Sequence, residues 1–229
     1  PSGRGKTRFA RELASVAEEV GVARSHHVRF RADGSGAGAL RRLLQQILRI
    51  ARLPEGEGEA RIQRVLAESG YPSEADLVPR LVGMLTDGGH ARGAWPEEAA
   101  TGVGRVSIRG RRRPLLLWLE EVDRSQDQVL TDWLRTLLTS SEDLPVAVIA
   151  TRRRGAPEDS GVIDPDWALL HSHPRTLQLE MEPLDSDAIS DILQVIAGSS
   201  EALGAEIARW SEGDPRAARQ TARHLHESG

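Results

Sequence analysis

Residues 114–123 read "PLLLWLEEVD", a continuous apolar run that ends on two acids. Such a run does not alternate between polar and apolar, so both faces of the segment it forms must be covered. That is the pattern of a strand in a parallel sheet with helices on either side. A second run, "LPVAVIATRRR", has the same character. Between them "SQDQVLTDWLRTLLTS" has helical spacing, with Ser125 placed to cap it. Strand, helix and strand in this order point to an α/β core. "HHVRFRAD" (26–33), which alternates, and "TLQLE" (176–180) are expected to add short strands.

Helical periods fill much of the remainder. "TRFARELASVAEEVG" sets Phe9, Leu13, Val16 and Val20 at helical spacing, with Gly21 where a C-terminal cap belongs. "ALRRLLQQILRIARL" predicts an amphipathic helix from Leu40 to Leu53, broken at Pro54. Weaker helical stretches run from Glu59 to Ser69 and from Ser73 to Leu85. Residues 87–113 are rich in Gly and Arg without a period and read as a loop-like insertion. Residues 155–175 read as irregular. From Asp185 onward, helices are expected at about 186–197, 200–210 and 215–227. The shift in composition near 181–184 divides the chain into a core, 1–182, and a small helical appendage, 183–229.

The chain opens "PSGRGKT". Gly5-Lys6-Thr7 match the end of the phosphate loop G-x-x-x-x-G-K-[ST], whose first glycine would fall one residue before Pro1. A helix opening here would aim its free N–H groups at an anion. The cations sharpen this reading: of 30 Lys and Arg residues, Lys6 is the single lysine. The chain keeps its one compact ammonium where a phosphate loop wants that rather than a planar fork. Ligands of open α/β sheets bind beyond the carboxyl ends of strands, and Glu120-Glu121 and Thr151-Arg152 end two of them. An amide cradle, a lysine, a hydroxyl, two carboxylates and a polar sensor are the parts that nucleotide hydrolysis needs.

Composition removes several alternatives. Without any cysteine, disulfides, thiolate metal sites and thiol nucleophiles are excluded. A formal net charge of −4 gives no overall attraction to nucleic acid or to anionic lipid. The apolar run 115–119 is far too short to span a bilayer, and a cytoplasmic location is expected. "RVSIRGRRR" (105–113) concentrates arginine without interleaved aromatics and reads as a solvated loop before a nucleic-acid surface. His26-His27 and His171-x-His173 lack partner ligands at metal spacing. The five tryptophans read as packing residues, Trp118 as strand core. Arg152–Arg154 would serve as an arginine finger only where geometry presents one to a neighbour.

Together these segments resemble the ATPase module of STAND proteins, signal-transduction NTPases of the AAA-related (ASCE) branch found in multidomain bacterial regulators. The likeness rests on "PSGRGKTRFARELA", on "PLLLWLEEVDRSQD" as the strand with paired acids, and on "PVAVIATRR" as the sensor strand. "EMEPLDSDAISDIL" is similar to that family's L-x-P-L entry to its lid, and "SEGDPRAARQTARHL" to its G-N-P helix. The matches extend from residue 1 to about 225. The resemblance implies a three-layer P-loop NTPase core around a parallel sheet, then a small helical lid. It implies that Ser2, Gly3, Arg4, Gly5, Lys6, Thr7 and Arg8 bind the nucleotide, with Lys6 on the β- and γ-phosphates and Thr7 on Mg2+. Glu120 matches the Mg2+-side acid, Glu121 the acid that orients water, and Thr151 or Arg152 the sensor. Pro215, within Gly213-Asp214-Pro215, would lie against the base. Two positions depart from the pattern: Glu120 is one methylene longer than the usual Asp, and Asp123 stands where the family often has His. Both bear on the hydrolysis rate rather than on nucleotide binding.

The expected function is an ATP/ADP switch with slow hydrolysis, read by flanking effector and sensor domains of the same polypeptide, with homo-oligomerisation on activation. Two rivals stand beside it: a nucleotide-binding scaffold that does not hydrolyse, and a nucleic-acid-stimulated ATPase using the arginines of 105–113. An ABC-type ATPase would carry an LSGGQ-like signature before the paired acids, and a guanylate kinase would not be expected to end in three helices. In a fold of this kind the strand before "PSGRGKT" lies inside the sheet, so an apolar strand and a glycine are expected upstream of Pro1.

Overall fold

In the computed structural model Leu115–Glu120 forms β2, and every residue of it is buried. It pairs in parallel with β1 (Arg24–Arg29) on one side and with β3 (Val146–Thr151) on the other, giving the order β1-β2-β3. The structure describes residues 5–31, 35–50, 53, 57–68, 77–86, 113–125, 128–139, 145–153, 165–197 and 201–228. Helices follow in chain order: α1 (Lys6–Glu19), α2 (Gly36–Leu48), α3 (Glu57–Glu68), α4 (Leu77–Thr86) and α5 (Val129–Thr139). Then come α6 (Pro165–Ser172), α7 (Ser186–Ala197), α8 (Glu201–Ser211) and α9 (Pro215–Ser228). Among the described residues the fold is therefore α/β, with a three-stranded parallel sheet and nine α-helices. The chain divides into two compact units, one of Ala10–Leu177 and one of Gln178–Gly229 with Pro1–Phe9.

The larger unit is built on one face of the sheet. Val28, Leu115, Leu117 and Leu119 meet Leu40, Leu43, Leu44 and Ile47 of α2 and Leu130 and Trp133 of α5 in one buried cluster. α2 packs on β1 and against α3, α4 and α5. It begins a turn earlier than Leu40, because the Ser35 hydroxyl accepts the Gly38 N–H at 3.0 Å and caps it. It stops a turn short of Leu53, where Arg49 turns left-handed (φ 58°) and its N–H closes on the Gln45 and Gln46 carbonyls. Pro54, the expected breaker, lies outside the described residues.

Other expectations are corrected in the same way. Ser125 does not cap α5: Val122–Arg124 forms a 3-10 turn closed by the Ser125 N–H on Val122 O at 3.1 Å, and α5 begins only at Val129. The stretch 155–175 is not wholly irregular, since α6 occupies 165–172 with Pro165 first, where a fixed φ and a missing N–H are harmless. β1 spans 24–29 rather than 26–33. "TLQLE" forms no strand; Leu177 and Leu179 are 81% and 63% exposed. A strand needs a ladder of hydrogen bonds to a neighbour as well as its own alternation, and the described sheet is limited to β1, β2 and β3. The loop-like insertion lies outside the described residues except for Arg113. Trp118, Trp133 and Trp167 are buried, but Trp210 is 65% exposed rather than packed.

α1 forms where its period predicts, and Gly21 (φ 72°) follows its end. Its apolar stripe is nevertheless exposed: Phe9, Leu13, Val16 and Val20 range from 41% to 64%, while the small Ala10 and Ala14 are buried.

In the smaller unit α7, α8 and α9 pack on one another around Ile189, Leu193, Ile207 and Ala218. Gly213 is required there. It sits at φ 75°, and a Cβ on it would lie 2.5 Å from Leu184 O and 2.6 Å from Pro183 Cβ. The Leu184 N–H bonds Gly213 O at 2.9 Å, so the Pro183-Leu184 and Gly213-Asp214-Pro215 segments lie together. Asp214 caps α9, its Oδ1 accepting from the Arg216 N–H at 2.8 Å and the Ala217 N–H at 3.2 Å. Among the described residues no helix is long and apolar enough to cross a membrane.

Candidate functional site

β1 alternates as its sequence suggests. Val28 enters the core, while Ser25, His27 and Arg29 lie on the opposite face. Each of these three meets a carboxylate. Ser25 donates its hydroxyl to Glu18 Oε1 at 2.7 Å and its N–H to the same oxygen at 2.9 Å. His27 Nε2 lies 3.1 Å from Glu120 Oε2, and Arg29 Nε donates to Glu121 Oε2 at 2.9 Å. The parallel register makes this reach available by setting His27 opposite Trp118 and Arg29 opposite Glu120. The His27 ring stacks on Trp118 with centroids 3.9 Å apart.

The two acids have unlike surroundings. Glu120 is buried beside an imidazole. Glu121 leaves the strand in the left-handed region (φ 60°, ψ 47°), at a cost of about 1–2 kcal/mol for a residue with a Cβ. It is held there by its N–H, which donates to Thr151 Oγ1 at 3.2 Å, and by its carboxylate, which lies between two guanidiniums. Arg124 Nη2 donates to Oε1 at 3.3 Å, while Arg124 Nε, 3.1 Å from Oε2, makes a charge contact outside hydrogen-bond geometry. The bond that Arg29 donates to Glu121, and then the Glu121 and Glu120 charges, hold the Arg29 guanidinium still further on its charged side.

Asp123 closes the constellation. Its side chain is 0% exposed, with Oδ2 accepting from Arg153 Nε at 2.8 Å and Oδ1 from the Arg153 N–H at 3.1 Å. That bond raises the Arg153 pKa in turn. His171 of α6 is pushed toward its neutral form, first by burial and then by the Arg152 charge.

The sequence-derived candidates are distributed as follows. Lys6 and Thr7 open α1 behind Gly5 at φ 87°, and Arg8 is exposed; Ser2, Gly3 and Arg4 lie outside the described residues. Glu120 ends β2, Glu121 follows it, and Thr151 ends β3, so Glu121 and Thr151 are brought into contact. The Arg152 charge acts on His171. Pro215 opens α9 in the smaller unit, the unit that also holds Gly5, Lys6 and Thr7, whereas the acids and Thr151 belong to the larger. Arg153 is bound internally to Asp123 and is not presented as a finger. Arg154 and Arg105–Arg112 lie outside the described residues. Sequence reasoning missed His27 as a partner of Glu120, the arginines on Glu121, and the Asp123–Arg153 pair. Alternation alone places 27 and 29 on one face, but which carboxylates they meet depends on strand order.

Adjacent carboxylates, a hydroxyl and flanking guanidiniums thus form one polar cluster at the carboxyl end of the sheet, and among the described residues no three His, Asp or Glu side chains are grouped to hold a metal ion. No protein-family model, curated protein or solved structure matches this chain.

Proposed function

We propose that the chain is an ATP-binding, slowly hydrolysing switch module of a cytoplasmic multidomain protein, built as a P-loop NTPase of STAND-like, AAA-related type. The observation that carries this reading is the end of β2. A wholly buried central strand releases Glu120 and Glu121 at its carboxyl end, and the Glu121 N–H is bonded to Thr151 at the end of the next strand. Open α/β sheets bind their ligands at this edge. The first turn of α1, opening at Lys6, supports it with N–H groups suited to phosphate.

In this reading Lys6 and the loop amides bind the β- and γ-phosphates. Thr7 and Glu120 are oxygen donors of the kind Mg2+ takes; Mg2+ when bound supplies neutralisation of phosphate charge. Glu121 aligns a water whose oxygen bonds the γ-phosphorus as the bond to the β–γ bridging oxygen breaks, releasing ADP and phosphate. The α7–α9 unit acts as the lid, with Pro215 against the base, and flanking effector and sensor domains read the ATP and ADP states. A switch of this kind needs the two lid states to differ in nucleotide affinity by a few kcal/mol. Activation is accompanied by homo-oligomerisation.

The test is fluorescent-ATP binding with Mg2+ alongside phosphate release. Lys6→Ala should lose binding, and Glu121→Gln should keep ATP bound while releasing no phosphate. A wild-type chain that binds no ATP sinks the reading. A second reading, a nucleotide-binding scaffold without turnover, is favoured by one feature: both Glu121 oxygens are engaged by arginine. Tight ATP binding without phosphate release in the wild type would select it.

A further inference from the structure

Asp123 is a fully buried carboxylate with no part in the hydrolysis just described. Removing a charge from water is costly unless geometry and pairing compensate, and a buried pair is weak evidence of a purely stabilising role. What this pair does is visible in its position. β2 and β3 remain in register as far as Glu120 opposite Thr151, the last pair of the ladder. Beyond that pair two hydrogen bonds cross between the strand ends in opposite directions. The Glu121 N–H donates to Thr151 Oγ1, and the Arg153 N–H donates to Asp123 Oδ1. Arg153 Nε adds a bond to Oδ2, so both oxygens of one carboxylate hold a single residue. On the β2 side the 3-10 turn is closed by the Arg124 N–H on Glu121 O at 3.0 Å, which ties Asp123 to Glu121. On the β3 side Arg153 follows Thr151, the last residue of the strand, by two positions.

We propose that Asp123 is a positioning residue: by anchoring Arg153 it sets the end of β3 against the end of β2, so that the Thr151 hydroxyl holds Glu121 in its left-handed conformation and aims its carboxylate. A residue with a Cβ does not stay in that conformation unaided. Thr151 Oγ1 reaches the Glu121 amide only while the end of β3 lies against the end of β2. The Asp123–Arg153 pair supplies a second anchor between them. The consequence for turnover rests on the proposed function; the geometric coupling does not.

Two measurements test it on the full chain. Hydrogen exchange of the Glu121 amide, without nucleotide, should quicken about tenfold in Asp123→Asn and in Arg153→Gln, while the Leu117 amide in the middle of β2 is unchanged. In ATP turnover both variants should lower kcat roughly 10–100-fold with KM within about twofold, as misplacement of an aligning group does. Ile47→Val, a mild core truncation on α2, controls for stability and should leave kcat alone. Unchanged Glu121 exchange in both variants overturns the proposal, as does a kcat loss no larger than that of Ile47→Val. If the wild type neither binds nor hydrolyses ATP, the proposed function falls while the exchange measurement still decides the coupling.

Discussion

The two faces of the β1-β2-β3 sheet are made by alternate residues of the same three strands and do different work. On one face Val28, Leu115, Leu117 and Leu119 are buried with α2 and α5, and the partly buried Val146 and Val148 pack against them. On the other, Ser25, His27, Arg29, Glu120 and Thr151 make polar contacts, with Arg29 58% exposed at its side chain. The pleat sends neighbours to opposite sides, so a single strand of six residues contributes to both. Apolar area stabilises in proportion to what is removed from water, whereas half-exposed ion pairs contribute little. The first face therefore carries the main apolar cluster, while the second, where Leu116 and Trp118 are also buried, adds the polar contacts.

That contrast can be broken by measurement. Leu117→Ala, at a fully buried position of the apolar face, should cost about 2–5 kcal/mol in urea unfolding with an unchanged m-value. A cost under about 1 kcal/mol would remove the distinction between the faces. Arg29→Ala, on the polar face, should cost no more than about 1 kcal/mol, because the pair is largely solvated. The same variant should reduce phosphate release, because Glu121 is then oriented by Arg124 alone, so unfolding and turnover together place Arg29 on one side or the other. The smallest effect belongs to Glu18, whose carboxyl is held below its ordinary range, first by the Ser25 hydroxyl and then by the Ser25 N–H. A folded-state value lowered from about 4.3 gives stability that is complete above the unfolded value and lost as pH falls through the folded one. Glu18→Gln should therefore be slightly less stable than wild type at pH 7, with the gap closing below about pH 4 in unfolding curves taken across the acid range. A gap unchanged down to pH 2 would contradict this.

α1 and α2 show how far periodicity reaches. Both were readable as amphipathic helices and both form, yet α2 buries Leu40, Leu43 and Ile47 completely or nearly so, while α1 leaves Leu13 and Val16 almost half exposed. A repeat of 3.6 residues specifies a face but names no partner for it. "TLQLE" alternates and yet forms no strand, because alternation alone does not create a ladder. The Ser35 cap and the left-handed Arg49 moved the ends of α2, and both are local features that an apolar count overlooks.

By itself the sequence determined the α/β class, the buried run of β2, the three closing helices, the lone Lys6 and the paired acids. These depend on spacing and side-chain chemistry within one short segment. Only the tertiary structure decided that His27 and Arg29 face Glu120 and Glu121, 93 and 92 residues away, and that Asp123 grips Arg153. The reason is that strand order and register are set by which apolar faces pack together over the whole unit, and no local pattern contains that sum.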